Sequence, residues 1–362
     1  MKPPPIGSTA ARLLKGTLYG AVRMPRGLTR RVFGPAPEND RGAPLDWQTH
    51  VLLNVLDSSG VPELQELGPD QARQIYKRSN RIFGAAPRPL HAIEDLGLEG
   101  PEGPLPARLY RPRTGRLPAC VFFHGGGFVM GSLDGYDGLC SRLAECADCV
   151  VISVDYRLAP EHPFPAAVDD AIAAYEDVVA RADQLGVDAD RIAVAGDSAG
   201  GNLAAVVCQA MVERQGPRPA HQLLIYPKTD HRRHYASRER FAEGFFLESP
   251  LIDWFLNAYL GGADVADDPR ISPILFDALD ALPPTTIVTA GFDPLRDEGA
   301  AYASRLEEAG VFIQNRCCEG LVHGFVTMDG LIDTASRALD DICEGFRSQL
   351  HRHETPHGPD SN

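Results

Sequence analysis

The stretch Ile192-Ala193-Val194-Ala195-Gly196-Asp197-Ser198-Ala199-Gly200-Gly201 decides the fold. Its first four residues are a short apolar run, which suits a strand buried on both faces of a parallel sheet. Beyond it, Leu203, Val207 and Ala210 recur at helical spacing. Between the two lies a serine flanked by glycines. Strand, sharp turn and helix in that order form a nucleophile elbow, which lifts the serine hydroxyl out of the sheet. Gly196 and Gly200 remove Cβ atoms where the turn is tight, and the helix N-terminus favours developing negative charge. A glycine-rich turn with an N-capping serine has the same five-residue pattern, so the decision rests on what accompanies it.

Three further stretches do. His124-Gly125-Gly126-Gly127 directly follows the apolar run 119–123, and three glycines let backbone N–H groups turn toward an oxyanion. The competing reading, a phosphate cradle, lacks the Gly-Lys-Ser/Thr ending of a P-loop. Asp293 stands just past the apolar run 285–289, and His323 lies in a loop after an expected strand at 311–317, ahead of the last helical stretch. The chain order Ser, Asp, His is the one used on α/β-hydrolase sheets. Asp297, Glu298 and Glu319 are rival acids; the first two open a helix, where carboxylates favour the dipole. His231 and His234 lie in a basic run, and His351, His353 and His357 in a polar tail, with weaker claims.

Apolar runs at 119–123, 149–154, 192–195, 222–226 and 285–289 alternate with helical patterns such as Val168, Ile172, Tyr175 and Val179, and finally Ile332 to Phe346. Such alternation predicts an α/β fold, a mostly parallel sheet flanked by helices. The expected divisions are an N-terminal arm and helical cap segment (1–88), a first core part (89–227), a cap insertion (228–272), a second core part (273–350) and a polar tail (351–362). The insertion is rich in aromatic residues, as a lid over the sheet's C-terminal edge would be. Phe128, Phe245, Phe246, Val322 and Phe325 are candidates for an apolar substrate pocket, or for ordinary cap core.

The sequence resembles the hormone-sensitive lipase family of α/β-hydrolases, the bacterial family IV carboxylesterases. The resemblance runs from about residue 105 to 350. It is carried by HGGGF at 124–128, DYRLAPEHPFPA at 155–166, GDSAGG at 196–201, DPLRDE at 293–298 and HGF at 323–325. It implies the α/β-hydrolase fold with a helical cap made from the N-terminal region and the insertion. It also implies hydrolysis of short to medium acyl esters without metal or organic cofactor. Ser198, Asp293 and His323 would form the triad. Gly125, Gly126 and Ala199 would supply the oxyanion-hole N–H groups, and Glu161 would belong to a polar network. Amidase, lactonase and acyltransferase activities share this machinery and stay open, as does homodimerisation. A ligand-binding role without catalysis is disfavoured because His323 is in place.

Composition sets the outer bounds. A net charge of −14 over 362 residues repels phosphate backbones and excludes general nucleic-acid binding. No apolar stretch reaches 18 residues, the length needed to span a bilayer. Eight cysteines in so long a chain are not a disulfide scaffold, and the lone CxxC at 146–149 lacks a second ligand pair. The expectation is reduced thiols in a cytoplasmic protein. Residues 1–31 carry seven basic side chains and no acid, leaving −21 on the remainder. Leu13, Leu14, Leu18 and Val22 there could form one helix face, fitting either a helix packed on a cap or a weak lipid-surface contact. Thr29 to Phe33 resembles part of a twin-arginine signal, but Gly34-Pro35-Ala36-Pro37 follows instead of an apolar segment, so export is not expected.

Overall fold

The computed structural model describes residues 9–263 and 265–352. The expectations for Lys2, His353 and His357 and for most of the polar tail fall outside these residues, as do the side chains of Arg12 and Leu13. Eight strands form one sheet in the order β1-β2-β4-β3-β5-β6-β7-β8. The strands β3 (Leu117–Phe123), β4 (Val150–Val154), β5 (Val187–Asp197), β6 (Gln222–Ile225), β7 (Thr285–Phe292) and β8 (Ile313–Val322) are parallel. An antiparallel pair, β1 (Ala92–Gly100) and β2 (Gly103–Arg111), completes one edge.

Helices cover both faces, which explains the continuous apolar runs. In β3, Ala119, Val121 and Phe123 face one core and Cys120 and Phe122 the other, and all five are fully buried. The first core is closed by α6 (Ala166–Ala180), α7 (Ala199–Glu213) and α10 (Arg296–Glu308). The second is closed by α5 (Leu133–Ala147) and α11 (Asp333–Leu350). Burying a Val or Phe side chain removes apolar surface worth roughly 1.5–3 kcal/mol, so a strand buried on both sides gains on each residue.

Above the C-terminal strand ends lie α1 (Thr9–Val22), α2 (Arg26–Phe33), α3 (Trp47–Asp57) and α4 (Pro69–Phe83) from the N-terminal segment. With them lie α8 (Ala236–Arg240) and α9 (Ser249–Leu260) from the insertion. On α1, Leu18 and Val22 are buried, whereas Leu14 is exposed. Proline and glycine cluster at 84–89 and 100–106; β1 lies between these stretches and β2 begins inside the second. β1 is an edge strand whose residues are mostly exposed, so it carries no apolar run. β2 accommodates Pro104 and Pro106 because β4 pairs only with its residues 107–110, leaving the proline-bearing start with β1 alone.

Candidate active site

Ser198 sits between β5 and α7 with φ 55° and ψ −117°, a backbone region that L-residues avoid. The neighbouring chain enforces it. A Cβ on Gly200 would lie 1.9 Å from the carbonyl oxygen of Phe123, and one on Gly196 would lie 2.2 Å from that of Gly200. The elbow is therefore pressed against the end of β3, and Ser198 N–H donates to the Ile225 carbonyl at 2.9 Å. The hydroxyl is left projecting above the sheet.

Asp293 directly follows β7, and His323 directly follows β8. His323 Nε2 lies 2.9 Å from Ser198 Oγ, and its Nδ1 lies 2.8 Å from Asp293 Oδ2. An ionised carboxylate only accepts, so Nδ1 carries the proton and Nε2 turns its lone pair to the hydroxyl. Asp293 is fully buried, and its other oxygen accepts the Leu295 N–H at 2.7 Å. The rival acids are engaged elsewhere. Asp297 accepts from the Ser237 N–H and from Arg296, while Glu298 accepts from Lys228 and the Thr229 N–H. Both thus hold the start of the insertion rather than simply capping α10. Glu319 is bound by Arg41 and Asn39.

The oxyanion loop departs from expectation at one position. Gly125 N–H donates to Asp197 Oδ1 at 2.7 Å, and Gly125 does not border the cavity. Its amide is therefore spent on the carboxylate and is removed from the expected oxyanion set. Gly126, Gly127 and Ala199 do border the cavity, and their N–H groups meet no acceptor among the described residues. Gly127 was missed because three successive glycines look alike in sequence. The third is marked only by the Phe255 ring, 2.2 Å from where a Cβ would stand. Asp197 is fully enclosed. It also accepts from Tyr136 at 3.1 Å and Tyr226 at 3.4 Å, and burial pushes its carboxyl up to about 6. His124 does not reach the chemistry. Its ring stacks on Tyr156 at 4.4 Å, and burial lowers its pKa.

The cavity over Ser198 holds about 1370 Å³ and is lined mainly by apolar side chains. It runs from Ser198 and His323 beneath α9 to Leu14 and Leu18 on α1. Phe128 and Phe246 line it, as expected. Phe245, Val322 and Phe325 do not and are corrected to core. Phe245 packs on Phe241 and Phe292 at 5.3 and 5.4 Å, Phe325 packs edge-on against Tyr226, and Val322 is buried in β8. Glu161 joins a polar network, with both oxygens on Arg73.

Residues 120–327 match the family profile for the alpha/beta hydrolase fold. Over 320 residues the sequence is 42% identical to the carboxylic ester hydrolase LipN of Mycobacterium tuberculosis, spanning 86% of this chain and 85% of that one. The chain belongs to the hormone-sensitive lipase family of α/β-hydrolases. Another relative is the ethyl acetate hydrolase of Pseudomonas putida, 38% identical over 80% of this chain and 93% of its own. Among solved structures, an α/β hydrolase from the Lake Arreo metagenome superposes with TM-score 0.80 at 42% identity, covering 84% of this chain and 97% of that one. A hyperthermophilic esterase from Pyrobaculum calidifontis gives 0.77 at 40% identity, covering 82% and 96%.

Proposed function

We propose that the protein is a serine carboxylesterase that hydrolyses short to medium acyl esters through an acyl-enzyme. The observation that carries this reading is the unbroken relay from Asp293 through His323 to Ser198, with 2.8 and 2.9 Å links, at the floor of an apolar cavity. His323 takes the Ser198 proton as Oγ attacks the ester carbonyl, and Asp293 holds the imidazole and offsets its positive charge. The oxyanion is received by the free N–H groups of Gly126, Gly127 and Ala199. Each such donor is worth about 3–4 kcal/mol in the transition state. His323 then protonates the leaving alcohol, and water activated by the same ring frees the acid. The ester-hydrolase names of the relatives agree with this chemistry. The nucleophile, the base and the oxyanion donors are all groups of the chain.

The test is hydrolysis of p-nitrophenyl esters with two to sixteen acyl carbons, with Ser198→Ala as control. The expected result is a serine-dependent maximum at short or medium length. The cavity exceeds the roughly 300–1,000 Å³ of ordinary small-molecule sites, so longer chains should retain some turnover. Ser198→Ala should lower kcat by about 10⁴-fold or more while leaving the melting profile unchanged. Turnover retained within a few-fold would overturn the nucleophile assignment.

A further inference from the structure

The first two helices hold a surface that catalysis does not use. Seven large apolar side chains stand out as exposed among the described residues, and four of them (Leu14, Tyr19, Leu28 and Val32) belong to α1 and α2. Leu28 and Val32 are one turn apart, so they share a face of α2, 48% and 58% exposed. Beside them on the same helix stand Arg26, Arg30 and Arg31, also exposed. None of the three has a carboxylate within ion-pair distance among the described residues, although acids outnumber bases 49 to 35 along the chain. Arg23, just past the end of α1, is by contrast held by Asp333 at 3.0 Å. The underside of the unit is fixed: Leu18, Val22 and Thr29 are buried, and Lys15 donates to the Gly84 carbonyl at 3.0 Å. A rigid helix that presents apolar side chains in a ring of arginines without carboxylate partners has the composition of an interfacial helix.

We propose that α2, together with the adjoining outer face of α1, is a docking surface for an anionic phospholipid bilayer. Charge selects the occupant. The first 31 residues carry +7 on a molecule whose remaining residues carry −21, so a negative lipid surface draws this end in and turns the rest away. Geometry gives the docking a use, because Leu14 on α1 also borders the cavity that leads to Ser198. Apolar solutes dissolved in the bilayer would then meet the cavity rim without crossing open water.

The experiment is co-sedimentation of the full chain with vesicles of 30% phosphatidylglycerol in phosphatidylcholine, against phosphatidylcholine alone, at low and high salt. The expected result is binding to the anionic vesicles only, weakened by 0.5 M salt. Each arginine near such a surface strengthens binding by roughly fivefold. Arg30→Glu with Arg31→Glu should therefore weaken partitioning by at least about tenfold, and Leu28→Ser with Val32→Ser should also weaken it. Both double variants should keep the wild-type melting temperature and the wild-type rate on a soluble short-chain ester. This readout does not depend on the esterase reading, since binding is measured without turnover. No binding of the wild type at low salt would overturn the proposal, as would binding that both variants retain. A concentration-dependent dimer that both variants abolish, without vesicle binding, would reassign the face to a second copy of the chain.

Discussion

At Asp293 both carboxylate oxygens are committed, one to His323 and one to the Leu295 N–H, whereas Asp297, one helical turn on, serves Arg296 and Ser237. Asp293→Asn should therefore cost orders of magnitude in kcat by upsetting the imidazole tautomer, and Asp297→Asn far less. Steady-state kinetics on one soluble ester ranks the two, and the reverse ranking would displace Asp293 from the relay. Asp197 predicts a pH effect. Its carboxyl rises from 3.8 to about 6 in the folded chain because burial disfavours the charged form. The folded state therefore binds this proton more tightly, and the stability it confers is full below pH 4 and lost as pH rises past 6. The loss is of order 3 kcal/mol, since each tenfold gain in proton affinity on folding is worth about 1.4 kcal/mol. Urea unfolding at pH 4.5, 5.5 and 7.5 should show wild type losing ground to Asp197→Asn as pH increases, and a constant difference would contradict the raised proton affinity. The serine and the acid were legible because each follows an apolar run, and the histidine because it stands in a loop between a strand and the last helical stretch. The Gly125 amide was not, because its acceptor lies 72 residues away and only the folded elbow brings it near.

Elements were readable in proportion to how symmetrically they are buried. β3 to β7 show as apolar runs because helices cover both sheet faces. β1 and β2 did not show, because an edge hairpin keeps half its side chains in solvent and carries prolines. Helix ends depend on caps, which leave no period in the sequence. Asp46 accepts the N–H groups of Gln48 and Thr49, both at 3.0 Å, and closes the start of α3. Its second oxygen accepts from Thr334 at the start of α11, so one carboxylate ties cap to core. Asp46→Ala should lower unfolding free energy by about 1–2 kcal/mol, the scale of a lost N-cap. Chemical denaturation with soluble-ester activity as a second probe would test this. A change within error would mean that water replaces the cap at no cost.

At the scale of the molecule, the N-terminal segment is fastened at two places: α4 docks on α5 and the 155–161 loop through Lys77–Asp134 and Arg73–Glu161, whereas residues 23–48 are held by the last quarter of the chain. Asp40 pairs with Arg296, Arg41 with Glu319, Arg23 with Asp333, and Gln48 exchanges hydrogen bonds with Asp333. The Asp46 N–H donates to the Gly320 carbonyl, and the Gly330 N–H to that of Phe83. Sequence pattern could place a helical cap over the sheet, but not these partners, since ion pairs between segments 250 to 310 residues apart leave no periodic trace. Vectorial synthesis gives this arrangement a cost in time. Leu18, Val22, Val51 and Leu52 leave the ribosome long before their partners exist. At about 5–20 residues per second, some ten to fifty seconds separate the end of α4 from the appearance of Asp333. Through that interval α1 and α3 have each other, and α4 has α5, but none has the last strand and helix of the core. The beginning of such a chain reaches its final packing only when its end is made.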